Sequence, residues 1–325
     1  MCSAAEILVA CLAAFLDSCI DLLGAGAFRR WRGQACVELG ARLIVCEMGL
    51  RSLDIDRASL RADTDGTGPG TQLLADMNFG VNGSFPQQLL TVGNQAYFLA
   101  TTPAAGFELW VTDGTADGTL LLKDINPGAG TSNPNNFFAH DGVMYFTAFT
   151  AGSGFELWRS DGTANGTQVL KDINPGAGSS SVNGFTSAGS KLFFTANDGS
   201  SGTELWVTNG SGGGTKRVLD ILGGAGSSMS GGQGQIAALG DTGRVILAAN
   251  NGTLGQELWI SDGSTAGTRL LKDINPGLTG AAISGLTSVG DLVYFAATDG
   301  SAGSELWVTD GTAAGTQQVA AGYAL

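Results

Sequence analysis

The tripeptide Glu-Leu-Trp occurs five times in this chain, each time ahead of a Gly-rich turn. Its tryptophans are Trp110, Trp158, Trp206, Trp259 and Trp307, separated by 48, 48, 53 and 48 residues. A period between about 20 and 50 residues marks a repeat architecture. Each unit is too small to bury its apolar face alone and must stack on its neighbours.

One period reads as four short strands. Over residues 179–224, Val182–Ser187 is a strand candidate and Ala188-Gly189-Ser190 a turn. Lys191–Ala196 is a β-rich aromatic run, and Asn197-Asp198-Gly199 is a second turn. Thr203–Thr208 and Thr215–Ile221 follow as the third and fourth strands. Runs such as Leu-Phe-Phe-Thr-Ala are apolar on both alternating faces, which suits a sheet stacked between two others. Five units run over residues 81–128, 129–176, 177–224, 225–277 and 278–320. An extra fourth strand, Gly70–Asp76, precedes them, with Leu60-Arg61-Ala62 where its Glu-Leu-Trp would stand. The spacing predicts an all-β fold: a β-propeller-like array of four-stranded blades, five full units plus one partial, behind a short helical N-terminal segment.

The repeats and the first 62 residues differ in kind. Residues 1–62 hold seven basic and seven acidic side chains, so residues 63–325 carry the whole net charge of −13. A surface this acidic has no means of neutralising phosphate, so no nucleic-acid partner is expected. All five cysteines lie between Cys2 and Cys46 without a CxxC pair, which gives no zinc or redox motif. The apolar run Ile7–Leu16 has the length of a signal-peptide core but no Lys or Arg before it. Asp17 and Asp21 interrupt a membrane span, and none is expected. A short amphipathic helix, or a start that is not native, explains residues 1–62 better than export by that segment. The domain expectation is 1–62 as a non-repeat segment and 63–325 as the repeat domain.

The recurring residues suggest roles. Glu108, Glu156, Glu204, Glu257 and Glu305 each lie two residues before a Trp. Five copies argue for a repeated structural role, that of an acceptor for a neighbouring strand or turn, since an unpaired buried carboxylate is costly. The five Trp residues read as core packed between blades, ahead of a sugar-stacking surface. In each Asp-Gly-Thr turn the Asp caps the backbone two residues on. Asp113 and Asp117 put two carboxylates in one turn, but Asn165, Gly213, Ala266 and Ala314 replace the second elsewhere. Calcium needs about six to eight oxygen ligands, so a calcium array is not expected, and only that single loop stays open to the ion. Otherwise no cofactor is expected. Asp124, Asp172, Asp220 and Asp273 stand at the loops between units. They are the candidate ligand-binding ring, with loop capping as the simpler reading.

No catalytic constellation stands out. His140 is the only histidine, so a Ser-His-Asp triad would have to use it, and its place beside Asp141-Gly142 reads as a surface turn.

The motifs Glu108–Thr119 (ELWVTDGTADGT), Glu156–Thr167 (ELWRSDGTANGT), Glu204–Thr215, Glu257–Thr268 and Glu305–Thr316 resemble the bacterial ELWxxDGT repeat family, over residues 65–320. The resemblance implies hyalin-like, propeller-like proteins that are secreted or held at the cell surface. It supplies no catalytic residues. The resulting expectation is a non-enzymatic extracellular binding or adhesion module with a glycan or protein partner. The alternatives are a polysaccharide-acting enzyme with carboxylates at the propeller channel, and a purely structural array.

Overall fold

The structure is a computed structural model and describes residues 73–79, 82–230, 234–301 and 303–319. The expected N-terminal helix lies outside the described residues. The chain divides into two units, Met1–Pro86 and Gln87–Leu325. In the first, Leu73–Asn78 forms no strand, so the described part of the expected extra strand is irregular.

The second unit is all-β: five four-stranded antiparallel sheets, here called blades 1 to 5, each in plain sequence order. The first strands are β1 (Gln87–Val92), β5 (Asn135–His140), β9 (Asn183–Ala188), β13 (Ile236–Ala238) and β17 (Ser284–Val289). The second strands are β2 (Gln95–Thr102), β6 (Val143–Thr150), β10 (Lys191–Asn197), β14 (Val245–Asn250) and β18 (Leu292–Ala297). The third are β3 (Gly106–Thr112), β7 (Gly154–Ser160), β11 (Thr203–Thr208), β15 (Gln256–Ser261) and β19 (Glu305–Thr309). The fourth are β4 (Leu120–Lys123), β8 (Gln168–Lys171), β12 (Lys216–Leu219), β16 (Arg269–Lys272) and β20 (Gln317–Gln318). First strands of successive blades touch one another, so they form the shared inner side of the array. Among the described residues no helix is long and apolar enough to cross a membrane.

Four apolar clusters fill the four seams between blades. The seam of blades 1 and 2 holds Tyr97, Leu109 and Val111 from one side and Met144, Phe146 and Trp158 from the other. Leu157 and Trp206 meet in the next seam, Leu205 and Trp259 in the third, and Leu258 and Trp307 in the fourth. In Glu-Leu-Trp, therefore, Leu faces the following blade and Trp the preceding one, as strand alternation requires. All five Trp rings are buried, and Trp110, Trp206 and Trp307 stack on the cross-strand Phe98, Phe194 and Phe295 at 6.4–6.5 Å.

The turn between third and fourth strands is tied by its own side chains. Asp113 Oδ1 accepts from the Thr115 N–H and Oγ1 at 2.9 and 2.7 Å, and the Thr112 and Thr119 hydroxyls meet at 2.7 Å. A Cβ at Gly118 would lie 1.9 Å from Asp113 Oδ1, so this glycine is required because the carboxylate folds over it.

Candidate functional site

The recurring Glu is a clamp on the segment that links one blade to the next. Glu108 Oε2 accepts from the Ile125 N–H at 2.9 Å and the Ser132 hydroxyl at 2.5 Å, while Oε1 accepts from the Ser132 N–H at 2.9 Å. Glu204 does the same with Ile221 and Ser228. Glu156 holds Ile173 at 2.7 Å and Glu257 holds Ile274 at 2.6 Å. All four carboxyls are buried, and burial pushes each above the usual carboxylate range against the pull of these donors. Glu156 and Glu257 are pushed up to about 7. Ala281 stands where the other linkers have Ser132, Ser180 and Ser228, so Glu257 receives no hydroxyl there. Glu305 is exposed.

The candidate ligand residues belong largely to these linkers. Asp124 Oδ2 accepts from the Gly128 N–H at 3.1 Å and Asp220 Oδ1 from the Gly223 N–H at 2.9 Å, which is loop capping. One oxygen of Asp124 and one of Asp273 is buried without a hydrogen-bond partner, while Asp172 is exposed. Asp113 and Asp117 are both exposed; the turn's own hydrogen bonds hold the Asp113 carboxyl below its usual range. Among the described residues no three His, Cys, Asp or Glu side chains group as a metal site.

The inner side carries a different signal. The five first strands read QQLLTV, NNFFAH, NGFTSA, IAA and SGLTSV, without a single Asp or Glu. The carboxylate pair that a polysaccharide-cleaving channel would need is absent from them. His140 is the one titratable side chain on these strands. It is not a surface turn residue, as its neighbours in sequence suggest, but is only 7 % exposed. The turn Asp141-Gly142 does reach solvent, with both residues at positive φ, while the imidazole turns inward against Tyr145, 6.1 Å between ring centroids.

His140 Nδ1 lies 3.0 Å from Ser187 Oγ on the first strand of the next blade. Its Nε2 lies 3.6 Å from Asp141 Oδ2 and is otherwise buried without a partner. The corresponding positions in the other blades are Val92, Ala188, Leu239 and Val289, so this arrangement is not part of the repeat. Ser288, which corresponds to Ser187, instead donates to the Ala238 carbonyl at 2.6 Å. The same seam half-buries Arg159, where other blades have Val111, Val207 and Ile260. Its Nη1 donates to the Gly210 carbonyl at 2.8 Å, and its Nε is buried without a partner. Burial raises the Tyr145 phenol above its usual range; the Arg159 charge opposes this and the Asp141 charge adds to it. Ser187, His140, Asp141, Tyr145 and Arg159 thus form a polar cluster at one seam of an otherwise periodic molecule. In sequence, two departures from the repeat signal it: the lone His140, and Arg159 where the other units have Val or Ile.

No protein-family model matches the chain, and no curated protein matches it. Among solved structures it is similar to puromycin hydrolase, at 16 % identity and a TM-score of 0.45, over 73 % of this chain and 37 % of that one. It is also similar to the β-propeller domain of the Trilobed protease from Pyrococcus furiosus, at 12 % identity and a TM-score of 0.39, over 72 % of this chain and 66 % of that one. A gluconolactonase from Xanthomonas campestris matches at 14 % identity and a TM-score of 0.34, over 70 % of this chain and 72 % of that one. The chain spans 37 % of the length of the puromycin hydrolases it matches. The expectation of a non-enzymatic adhesion module is corrected to this extent: the solved structures that the chain is similar to are enzymes and a propeller domain of a protease, and none is an adhesion module. At this identity the likeness itself concerns the fold.

Proposed function

We propose that the protein is an acyl-transfer hydrolase whose site is the seam between blades 2 and 3. One observation carries this reading: the only titratable side chain of the inner strands is a buried histidine, and it joins a serine on one ring nitrogen and faces an aspartate with the other. Ser187 is the nucleophile and His140 the base that takes its proton. Asp141 stabilises the imidazolium that results. Ser187 Oγ bonds to the carbonyl carbon of an ester; the ester C–O bond breaks, and the leaving alcohol receives the proton from His140. Water, deprotonated by the same imidazole, then releases the acid and restores Ser187. We retain the ELWxxDGT resemblance, and the export it implies, as part of this proposal.

Labelling with a fluorophosphonate probe, followed by peptide mapping, tests the assignment. Modification of Ser187 is expected, lost in His140→Ala, with Ser288 unmodified in the same sample. Equal labelling of both serines, or of neither, would overturn the reading.

A further inference from the structure

Among the described residues Arg159 is a cation without a counter-ion. The ion pairs found there join His140 to Asp141 and Arg217 to Asp198. Of the three guanidinium nitrogens only Nη1 has a hydrogen-bond partner, the Gly210 carbonyl, and Nε is buried with none. Asp161, two residues on, is exposed, and its Oδ1 accepts from the N–H and hydroxyl of Thr163 at 3.0 and 2.7 Å. The turn that Arg159 touches also lacks the usual carboxylate, since Asn209 stands where other blades have Asp113, Asp161, Asp262 and Asp310. A charge held half-buried without a partner costs stability that the valine of the neighbouring blades would not.

The guanidinium shares a face with the serine–histidine pair. Arg159 opposes Tyr145 across β6 and β7, and Tyr145 opposes Phe138 across β5 and β6. His140 lies two residues beyond Phe138 and so points to the same side of the sheet. Arg159 and His140 therefore stand two strand spacings apart, about 10 Å, with Tyr145 between them. Both reach across to blade 3, His140 to Ser187 and Arg159 to Gly210. The β5–β6 and β7–β8 turns leave the same end of the meander, so both groups lie at that end of the seam. His140 Nε2 and Arg159 Nε are the two buried nitrogens of basic side chains left without a hydrogen-bond partner among the described residues.

We propose that the ester cleaved at Ser187 carries a carboxylate on its acyl chain, and that Arg159 binds it. This rests on the acyl-transfer reading of the seam. With Nη1 held by Gly210, the Nε–Nη2 edge offers two parallel N–H donors, a fork that the two oxygens of a carboxylate fill. A carboxylate on the acyl side stays bound through both steps. The same contact positions the carbonyl for attack by Ser187 and then for attack by water. It also discriminates, because an ester without the charge leaves the guanidinium unpaired.

Two measurements test this. The first compares hydrolysis of mono-p-nitrophenyl adipate with that of p-nitrophenyl hexanoate, which has a methyl group in place of the carboxylate. The acid ester is expected to have the higher kcat/KM by about 10–100-fold, the worth of a hydrogen bond to a charged group. Arg159→Val should abolish that preference, and Arg159→Lys should restore part of it. Ser187→Ala should lose turnover of both esters; turnover that survives it would remove the acyl-transfer reading and this proposal with it. The second measurement needs no turnover. In the Ser187→Ala protein, adipate but not adipamide should shift the side-chain Nε–H resonance of Arg159. Equal kcat/KM for the two esters, or an unmoved resonance, would overturn the proposal even where Ser187 hydrolyses both.

Discussion

The clamp makes a prediction with its own control, because one motif position occurs in five copies with two different surroundings. Glu204→Ala removes the acceptor for the Ile221 N–H at 3.1 Å, the Ser228 N–H at 2.9 Å and the Ser228 hydroxyl at 2.5 Å. Each donor stranded in a buried place costs roughly 1–3 kcal/mol. The gain from no longer burying a carboxylate offsets part of this, since burial already raises the Glu204 carboxyl above its usual range. About 2–5 kcal/mol of net loss is expected from the three neutral donors left without an acceptor, less that offset. Glu305→Ala strands nothing among the described residues and should stay within about 0.5 kcal/mol, as other exposed substitutions do. Urea unfolding followed by tryptophan fluorescence reads both. The rings of Trp206 and Trp259, in the seams on either side of blade 3, report the local loss. Equal losses at the two positions would refute the clamp, because the exposed glutamate has no linker to release.

Glu257 should make stability fall with rising pH. Its folded carboxyl is pushed from an ordinary 4.5 to about 7, so its contribution is present below 4.5 and is lost as pH rises through 7. Ala281→Ser adds a hydroxyl donor like that of Ser228 and should flatten this loss by about 1 kcal/mol at pH 8, read from melting temperatures across pH. Gly118→Ala should destabilise the turn by about 1–3 kcal/mol by forcing the Asp113 carboxylate off its seat, and far less in an Asp113→Ala background; additive losses would reject the packing argument. Arg159→Val should leave denaturant stability unchanged or raised by about 1–2 kcal/mol, as valine fills the same place in neighbouring blades, and should alter labelling of Ser187. A large stability loss would make the guanidinium structural.

Much of the architecture was legible because it repeats. The strands expected from residues 182–221 match β9 to β12 within two residues at each end. Self-capping by Asp113 follows from the chemistry of Asp-Gly-Thr alone, and the structure shows it. The partners of Glu108 were not legible. They lie 17 and 24 residues downstream, and only the packing of one blade on the next brings Ile125 and Ser132 back to it. The local sequence misleads at His140, since Asp141-Gly142 does make the exposed turn expected of it while the ring beside it points inward. Ser187 carries no mark at all in the sequence. It shares its strand position with Ser288, and the two part company only in what the preceding first strand offers them: an imidazole in one case, a carbonyl in the other.

The 24 residues between Glu108 and Ser132, a spacing that recurs at each occupied clamp, also set an order in time. A ribosome adds roughly 5–20 residues per second, and β4 ends nine residues before Ser132, so blade 1 completes its sheet before Ser132 exists to close over Glu108. For about 0.5–2 s each newest blade carries an open carboxylate and an uncovered leucine, and the arrival of the next linker begins to seal both. Synthesis from the N-terminus therefore assembles the array in one direction, each blade completed by the start of its successor. A stall just upstream of a linker would expose the largest apolar surface that the nascent chain ever shows, which is where a chaperone would find it.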